Sequence, residues 1–208
     1  TRWGWVLMET PSLLIMVAFF MTGNHQEDVA AWVFLCMWGG HYINRSWIYP
    51  FRCRTDGKTM PLSIALMAIL FNGVNASING YFLFHLAPTF GTAWLTTPWF
   101  IAGVTVFVVG MVINLHSDQI LLDLRGDGTG GYKIPRGGLY RWVTCPNYLG
   151  EILEWVGFAI ATYSLPAVAF AVWTIANLAP RALAHDKWYR EKFPDYPQSR
   201  KALVPFLY

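Results

Sequence analysis

The side chains in this sequence that could do chemistry lie inside otherwise apolar stretches. Glu9 stands alone in the run 3–23, with no base near it in sequence. A carboxyl group desolvated in this way tends to keep its proton, and a neutral carboxyl can hold a hydroxyl or carbonyl partner as a donor. Other polar residues recur at separations of 3, 4, 7 or 8, which put side chains on one helix face. Tyr42, Arg45 and Tyr49 form one such stripe, and Asn72, Asn75 and Asn79 a second. Asn114 and Asp118 form a third, joined by Arg125 if the helix continues. Asn147, Glu151 and Glu154, with Trp155 beside them, form a fourth, and Arg181, His185 and Tyr189 a fifth. Such groups are costly in an apolar medium and face the interior. They imply a polar cavity, although amides and hydroxyls also serve as interhelical hydrogen-bond glue.

The elements that carry these stripes are membrane spans. Of the 208 residues, 55% are hydrophobic and only 13% charged, too few charges for the surface of a water-soluble domain. A helical span takes ~20 mostly apolar residues, and six stretches qualify: 3–23, 29–49, 62–86, 97–117, 148–164 and 166–184. The expected fold is therefore an all-α integral membrane protein, a bundle of six transmembrane helices forming a single domain over 1–208. The first run is longer than a signal-peptide core and contains Glu9, so it reads as a retained span. Cys36, Cys53 and Cys145 lack paired spacing and read as reduced thiols. The five histidines contain no HxxxH pair, so no metal site is expected.

All fifteen Lys and Arg fall at one set of connections: Arg2 before the first span, Arg45 to Lys58 around the second connection, Arg125 to Arg141 in the fourth, and Arg181 to Lys201 in the tail. Basic loops mark the cytosolic face. A surplus this complete also suits a polyanionic cytosolic ligand. The long connections, 118–147 and 185–208, lie on that same face, and long glycine-rich loops are commonly functional. Gly126, Gly128 and Gly131 spell GxGxxG, but the dinucleotide fingerprint needs a strand before it and a helix after it. Here a membrane helix precedes it, and Tyr-Lys-Ile-Pro-Arg-Gly-Gly, which cannot open a helix, follows.

Several motifs together resemble the steroid 5α-reductase family: His41-Tyr-Ile-Asn-Arg45; Asn114-Leu-His-Ser-Asp118 with Tyr132-Lys-Ile-Pro-Arg-Gly-Gly-Leu139; Asn147-Tyr-Leu-Gly-Glu-Ile-Leu-Glu-Trp155; and Asp195-Tyr-Pro-Gln-Ser-Arg-Lys-Ala-Leu203. The similarity runs over essentially the whole chain, in the family's order. It implies a membrane enzyme that uses NADPH to reduce the Δ4 double bond of a 3-oxosteroid. The family's catalytic glutamate and tyrosine match Glu9 and Tyr42. Its cofactor contacts match Lys58, Asn114, Asp118, Arg125, Tyr132, Lys133, Asn147, Glu151, Trp155, Arg181, His185, Tyr189 and Arg200, with the long cytosolic loop and the C-terminal tail forming the cofactor pocket. Two features depart from the pattern. The family usually has seven spans, with one ahead of the glutamate. In addition, a Gln before the glutamate and an Arg in the third helix are replaced here by Met8 and Met67.

The resemblance and the stripes imply a division of labour. Tyr42, backed by Glu9, would hold the carbonyl oxygen of an enone. Lys58, Arg125, Lys133, Arg181 and Arg200 would pair with cofactor phosphates, while Asn114, Asp118, Asn147 and Glu151 would take ribose and carboxamide groups. A lipophilic substrate would enter from the bilayer of a bacterial inner membrane or the endoplasmic reticulum, with the cofactor site facing the cytosol. Neither nucleic acid nor an obligate protein partner is expected. Polyprenal or enoyl-thioester reduction, an isoprenylcysteine methyltransferase-like activity, and a membrane carrier are the alternatives.

Overall fold

The computed structural model describes residues 2–53, 60–126 and 132–208. Lys58, the side chain of Arg125, and Gly128 and Gly131 lie outside the described residues. The chain order is α1 (Arg2–Thr22), α2 (Val29–Ile43), a π-helical turn (Asn44–Ile48) and α3 (Tyr49–Arg52). There follow α4 (Leu62–Tyr81), a second π turn (Phe82–Leu86) and α5 (Gly91–Trp94). The remainder is α6 (Pro98–Gly126), a 3₁₀ turn (Gly138–Arg141), α7 (Pro146–Thr162) and α8 (Leu165–Lys192). Among the described residues there is no strand, only an isolated parallel bridge between Val143 and Lys201. The all-α expectation holds.

Among the described residues, four helices are long and apolar enough to cross a membrane: Arg2–Thr22, Leu62–Leu86, Pro98–Leu124 and Leu165–Lys192. The other two expected spans coincide with the α2 to α3 segment and with α7, which has 17 residues. The exposed faces of α1 and α4 are apolar, with Leu7, Leu14 and Met21 on α1 and Leu62, Leu66 and Leu70 on α4, while Asn72, Asn79, Asn114, Asp118 and Glu154 are buried. Apolar outside and polar inside is the arrangement lipid requires.

Where boundaries differ from expectation, local chemistry explains it. α6 runs past 117 to Gly126 because Gln-Ile-Leu-Leu-Asp-Leu-Arg contains good helix formers and no stop signal. α8 likewise continues to Lys192, its outer turns carrying the i,i+4 pairs Asp186–Arg190 and Lys187–Glu191, and Pro194 follows its end. The second span is interrupted because Pro50 has no N–H for the carbonyl four residues back and its ring crowds that carbonyl. The widened turn at 44–48 accommodates this.

The chain divides into two compact units. Unit 1 comprises Thr1–Ile101 and Ile160–Ala167; unit 2 comprises Ala102–Ala159 and Val168–Tyr208. In unit 1, α1 packs chiefly on α4 and also on α2. Its core includes Met16, Phe20, Phe34, Trp38 and Phe84, with Phe20 edge-on to Phe84 at 5.1 Å. Asp28 caps α2 through Ala30 N and also accepts from Phe90 N at 2.7 Å, joining two connections.

In unit 2, α6 and α7 approach through glycines. A Cβ on Gly150 would lie 2.5 Å from Asn114 N and 2.6 Å from Gly110 O. One on Gly157 would collide with the backbone of Gly103 and Phe107. Glycines seven residues apart on each helix thus bring the backbones into contact, as small residues do between membrane helices. We expect Gly150→Ala to force the helices apart and destabilise the protein by about 1–3 kcal/mol, measurable as a lower melting temperature in detergent. Gly39→Ala, whose added Cβ would meet only Leu13 at 3.7 Å, should leave the melting temperature unchanged or raise it.

Candidate active site

The two expected catalytic side chains both lie in unit 1. Tyr42, on the last turn of α2, is 3% exposed. Its ring stacks on Trp38 at 5.3 Å, and Trp38 is in turn fixed by donating from Nε1 to Ser12 Oγ at 3.2 Å. Glu9 is half-buried on α1. Asn72 joins the two. Its Nδ2 donates to Met8 O at 2.7 Å and to Glu9 Oε2 at 3.1 Å, and its Oδ1 accepts from the Tyr42 hydroxyl at 3.5 Å. The sequence placed Asn72 on a polar stripe without a role at the site. The missing information was that α4 lies directly on α1, which brings residue 72 within reach of residue 9.

The neighbouring polar residues separate into distinct sets. Asn75 and Asn79 are buried and bonded to each other, Asn79 Nδ2 donating to Asn75 Oδ1 at 3.1 Å. Arg45 lies over the rings of Trp5 and Tyr49, at 5.2 and 5.4 Å. Of the two methionines that stand where the family pattern has polar residues, Met8 is buried and Met67 is 71% exposed.

The expected cofactor residues that the structure describes all belong to unit 2. Asn114 Nδ2 donates to Asn147 O at 2.9 Å, and Asn147 Nδ2 donates to Asp118 Oδ1 at 3.1 Å. Three residues from two sequence stripes thus form one network, with Asn114 and Asp118 buried and Asn147 half-buried, made reachable by the glycine contact of α6 with α7. Glu151 is half-buried one turn further along α7. Trp155 is buried in aromatic packing, 4.4 Å from Phe170 and 6.0 Å from Phe158.

On α8, Arg181 and His185 are exposed, with His185 Nε2 3.3 Å from the Tyr148 hydroxyl. Tyr189 stacks on Tyr196 at 5.3 Å. Tyr132 meets Trp188 edge-on at 4.9 Å, and Lys133 beside it is exposed. Arg200 is 4% exposed. Its Nη2 donates to Pro135 O at 2.9 Å and its guanidinium covers Tyr196 at 5.1 Å, while its Nε and Nη1 are buried with no hydrogen-bond partner. Unpaired N–H donors on a buried cation are costly, and an anion would satisfy them.

A clamp that the sequence did not reveal holds this tail in place. Arg190 pairs with Asp186 through Nε at 2.6 Å and Nη2 at 3.2 Å, and also donates to Arg200 O at 2.7 Å. Thr144 Oγ1 donates to Asp186 Oδ1 at 2.6 Å and meets the Tyr196 hydroxyl at 2.8 Å. Thr144 N and Cys145 N donate to Lys201 O and Ala202 O. Burial, reinforced by Asp186, pushes the Cys145 thiol up to about 12, so it stays protonated and inert at neutral pH. Replacing Asp186 with Asn should loosen the clamp at a cost of about 1–3 kcal/mol. Amide exchange at 142–145 and 200–204 should accelerate, with little change in α1.

Comparison with known proteins identifies the family. Residues 58–208 match the family model described as 3-oxo-5-alpha-steroid 4-dehydrogenase. A steroid 5-alpha-reductase of Gossypium hirsutum is 42% identical over 209 residues, covering 99% of this chain and 81% of that protein. One from Solanum lycopersicum is 44% identical over 208 residues, covering 99% and 80%. The 3-oxo-5-alpha-steroid 4-dehydrogenase 1 of Homo sapiens is 43% identical over 209 residues, covering 100% and 80%. The chain therefore belongs to the steroid 5α-reductase family and is an integral membrane oxidoreductase acting on CH–CH bonds.

Proposed function

We propose that the protein reduces the Δ4 double bond of a 3-oxo-Δ4 steroid to the 5α-3-oxosteroid, with NADPH as reductant. The observation that carries this reading is the similarity, above 40% along the whole chain, to proteins named for that reaction. The buried phenol and the half-buried carboxyl joined through Asn72 support it, because they are the donors an enone carbonyl needs.

The side chains fit the cofactor. Arg200, with two buried N–H groups lacking partners, and the exposed Lys133 and Arg181 suit phosphate oxygens. Lys58 and Arg125 complete the proposed phosphate set. Asn114, Asp118, Asn147 and Glu151 suit ribose hydroxyls and a carboxamide, with Tyr132, Trp155, His185 and Tyr189 as the remaining contacts. When bound, NADPH supplies a hydride to the β-carbon of the enone. Tyr42 donates its hydroxyl proton as a hydrogen bond to the 3-oxo oxygen, and Glu9 supplies a second donor. Both bonds strengthen as negative charge develops on that oxygen, and apolar surroundings increase their effect. The α-carbon then takes a proton from water. The lipophilic substrate enters from the bilayer, and the one-sided basic loops support a cytosolic face for the cofactor residues.

NADPH should raise the melting temperature of the detergent-solubilised protein more than NADH does, and S-adenosylmethionine should have no effect. Tyr42→Phe should lower kcat by about 10²–10³-fold with the NADPH-induced shift retained. Equal loss of both would contradict the division of labour.

A further inference from the structure

In unit 2, the turn at 204–208 carries large apolar side chains that the protein leaves uncovered. Phe206 and Leu207 are 80% and 79% exposed, and Tyr208 is 41% exposed. The turn is tied at both ends. Leu203 N and Val204 N donate to Tyr208 O at 2.7 and 2.6 Å, and Leu207 N and Tyr208 N donate to Val204 O at 3.2 and 3.1 Å. Phe206 takes a φ of 65°, a left-handed conformation that is costly for a bulky side chain. A held, strained turn that presents two large apolar groups outward marks a contact surface.

The place of the turn on the helices indicates what covers it. Its root, Ala202 and Leu203, is buried in a cluster with Cys145, Ile152, Leu178 and Ala182, and Val204 packs against that cluster. Leu178 lies about 20 Å along α8 from Leu165, within a hydrocarbon thickness of about 30 Å. The root is therefore packed on the apolar part of a membrane-crossing helix, and the tip emerges at the edge of the acyl layer. The polar residues nearby match that level. Lys201 N donates to Trp142 O at 2.9 Å, which brings the exposed residues Arg141, Trp142 and Lys201 together at the foot of the turn. Bases favour anionic headgroups, and Trp and Tyr favour the boundary between membrane and water.

We propose that the turn at 204–208 is a membrane anchor. Phe206 and Leu207 insert into the acyl layer of the leaflet on the basic side, Trp142 and Tyr208 lie at headgroup level, and Arg141 and Lys201 pair with anionic headgroups. Arg200, on the same segment, is thereby tethered to the bilayer as well as to Arg190 and Pro135. The inference does not depend on which reaction the protein catalyses.

The test uses the full chain in vesicles of phosphatidylcholine and phosphatidylglycerol, with a nitroxide attached at Leu207→Cys. Cys36→Ala and Cys53→Ala remove the more accessible thiols, and Cys145 is buried. Oxygen should relax the label several-fold more than a water-soluble nickel chelate does. The same label at Lys187→Cys, an exposed position on the outer turns of α8, should show the reverse, and Phe206→Cys serves as a second site with the expectation of 207. A label at 207 as open to the nickel chelate as one at 187 would overturn the proposal. So would a label shielded from both probes, the signature of a covering protein surface. Removing phosphatidylglycerol, or combining Arg141→Ala with Lys201→Ala, should raise nickel access at 207; no response to either change would overturn the headgroup contact.

Discussion

The constraint on which this structure depends is that a polar group surrounded by apolar helices must find its partner inside the protein. Water cannot supply one, and each unsatisfied group costs several kcal/mol. Glu9, Tyr42 and Asn72 meet this requirement together in unit 1, and Asn114, Asn147 and Asp118 meet it in unit 2. In both cases an asparagine is the connector. An amide can donate and accept at once without carrying charge, so it joins groups that differ in polarity without adding a desolvation cost for an ion.

These networks require helices close enough for short side chains to meet. Unit 2 achieves this through Gly110, Gly150 and Gly157, where an added Cβ would collide with the opposing backbone. The last stretch of chain is then held by charge and hydroxyl contacts from Asp186, Arg190, Thr144 and Tyr196. Arg200 reaches its buried position because Arg190 of α8 and the 142–145 segment hold the backbone at 200–202, while its Nε and Nη1 have no hydrogen-bond partner.

Much of this was legible in the sequence, for identifiable reasons. Membrane spans announce themselves by apolar length, and the spacing of Asn72, Asn75 and Asn79 or of Asn114 and Asp118 correctly predicted buried faces. Helix ends were less legible, because α6 and α8 run past the apolar segment on helix-forming polar residues. The interruption at 44–48 leaves no mark inside the apolar stretch 29–49, since Pro50 stands just after its last residue. Pairings between helices were the hardest part. Nothing in the residue types reveals that residue 72 meets residue 9, or that Asp186, paired with Arg190 one turn along its own helix, also holds Thr144, because such contacts depend on which segments are neighbours and at what register.

The central claim is that hydride is delivered to the β-carbon of an enone whose oxygen is held by Tyr42 and Glu9. The most direct test is to incubate the purified protein with a 3-oxo-Δ4 steroid and NADPH carrying two deuterium atoms at C4 of the nicotinamide, then locate the label in the product. The account predicts a 5α-3-oxosteroid bearing one deuterium at C5, with the proton at C4 drawn from solvent. Deuterium at the carbonyl carbon, or a saturated product without label, would contradict it.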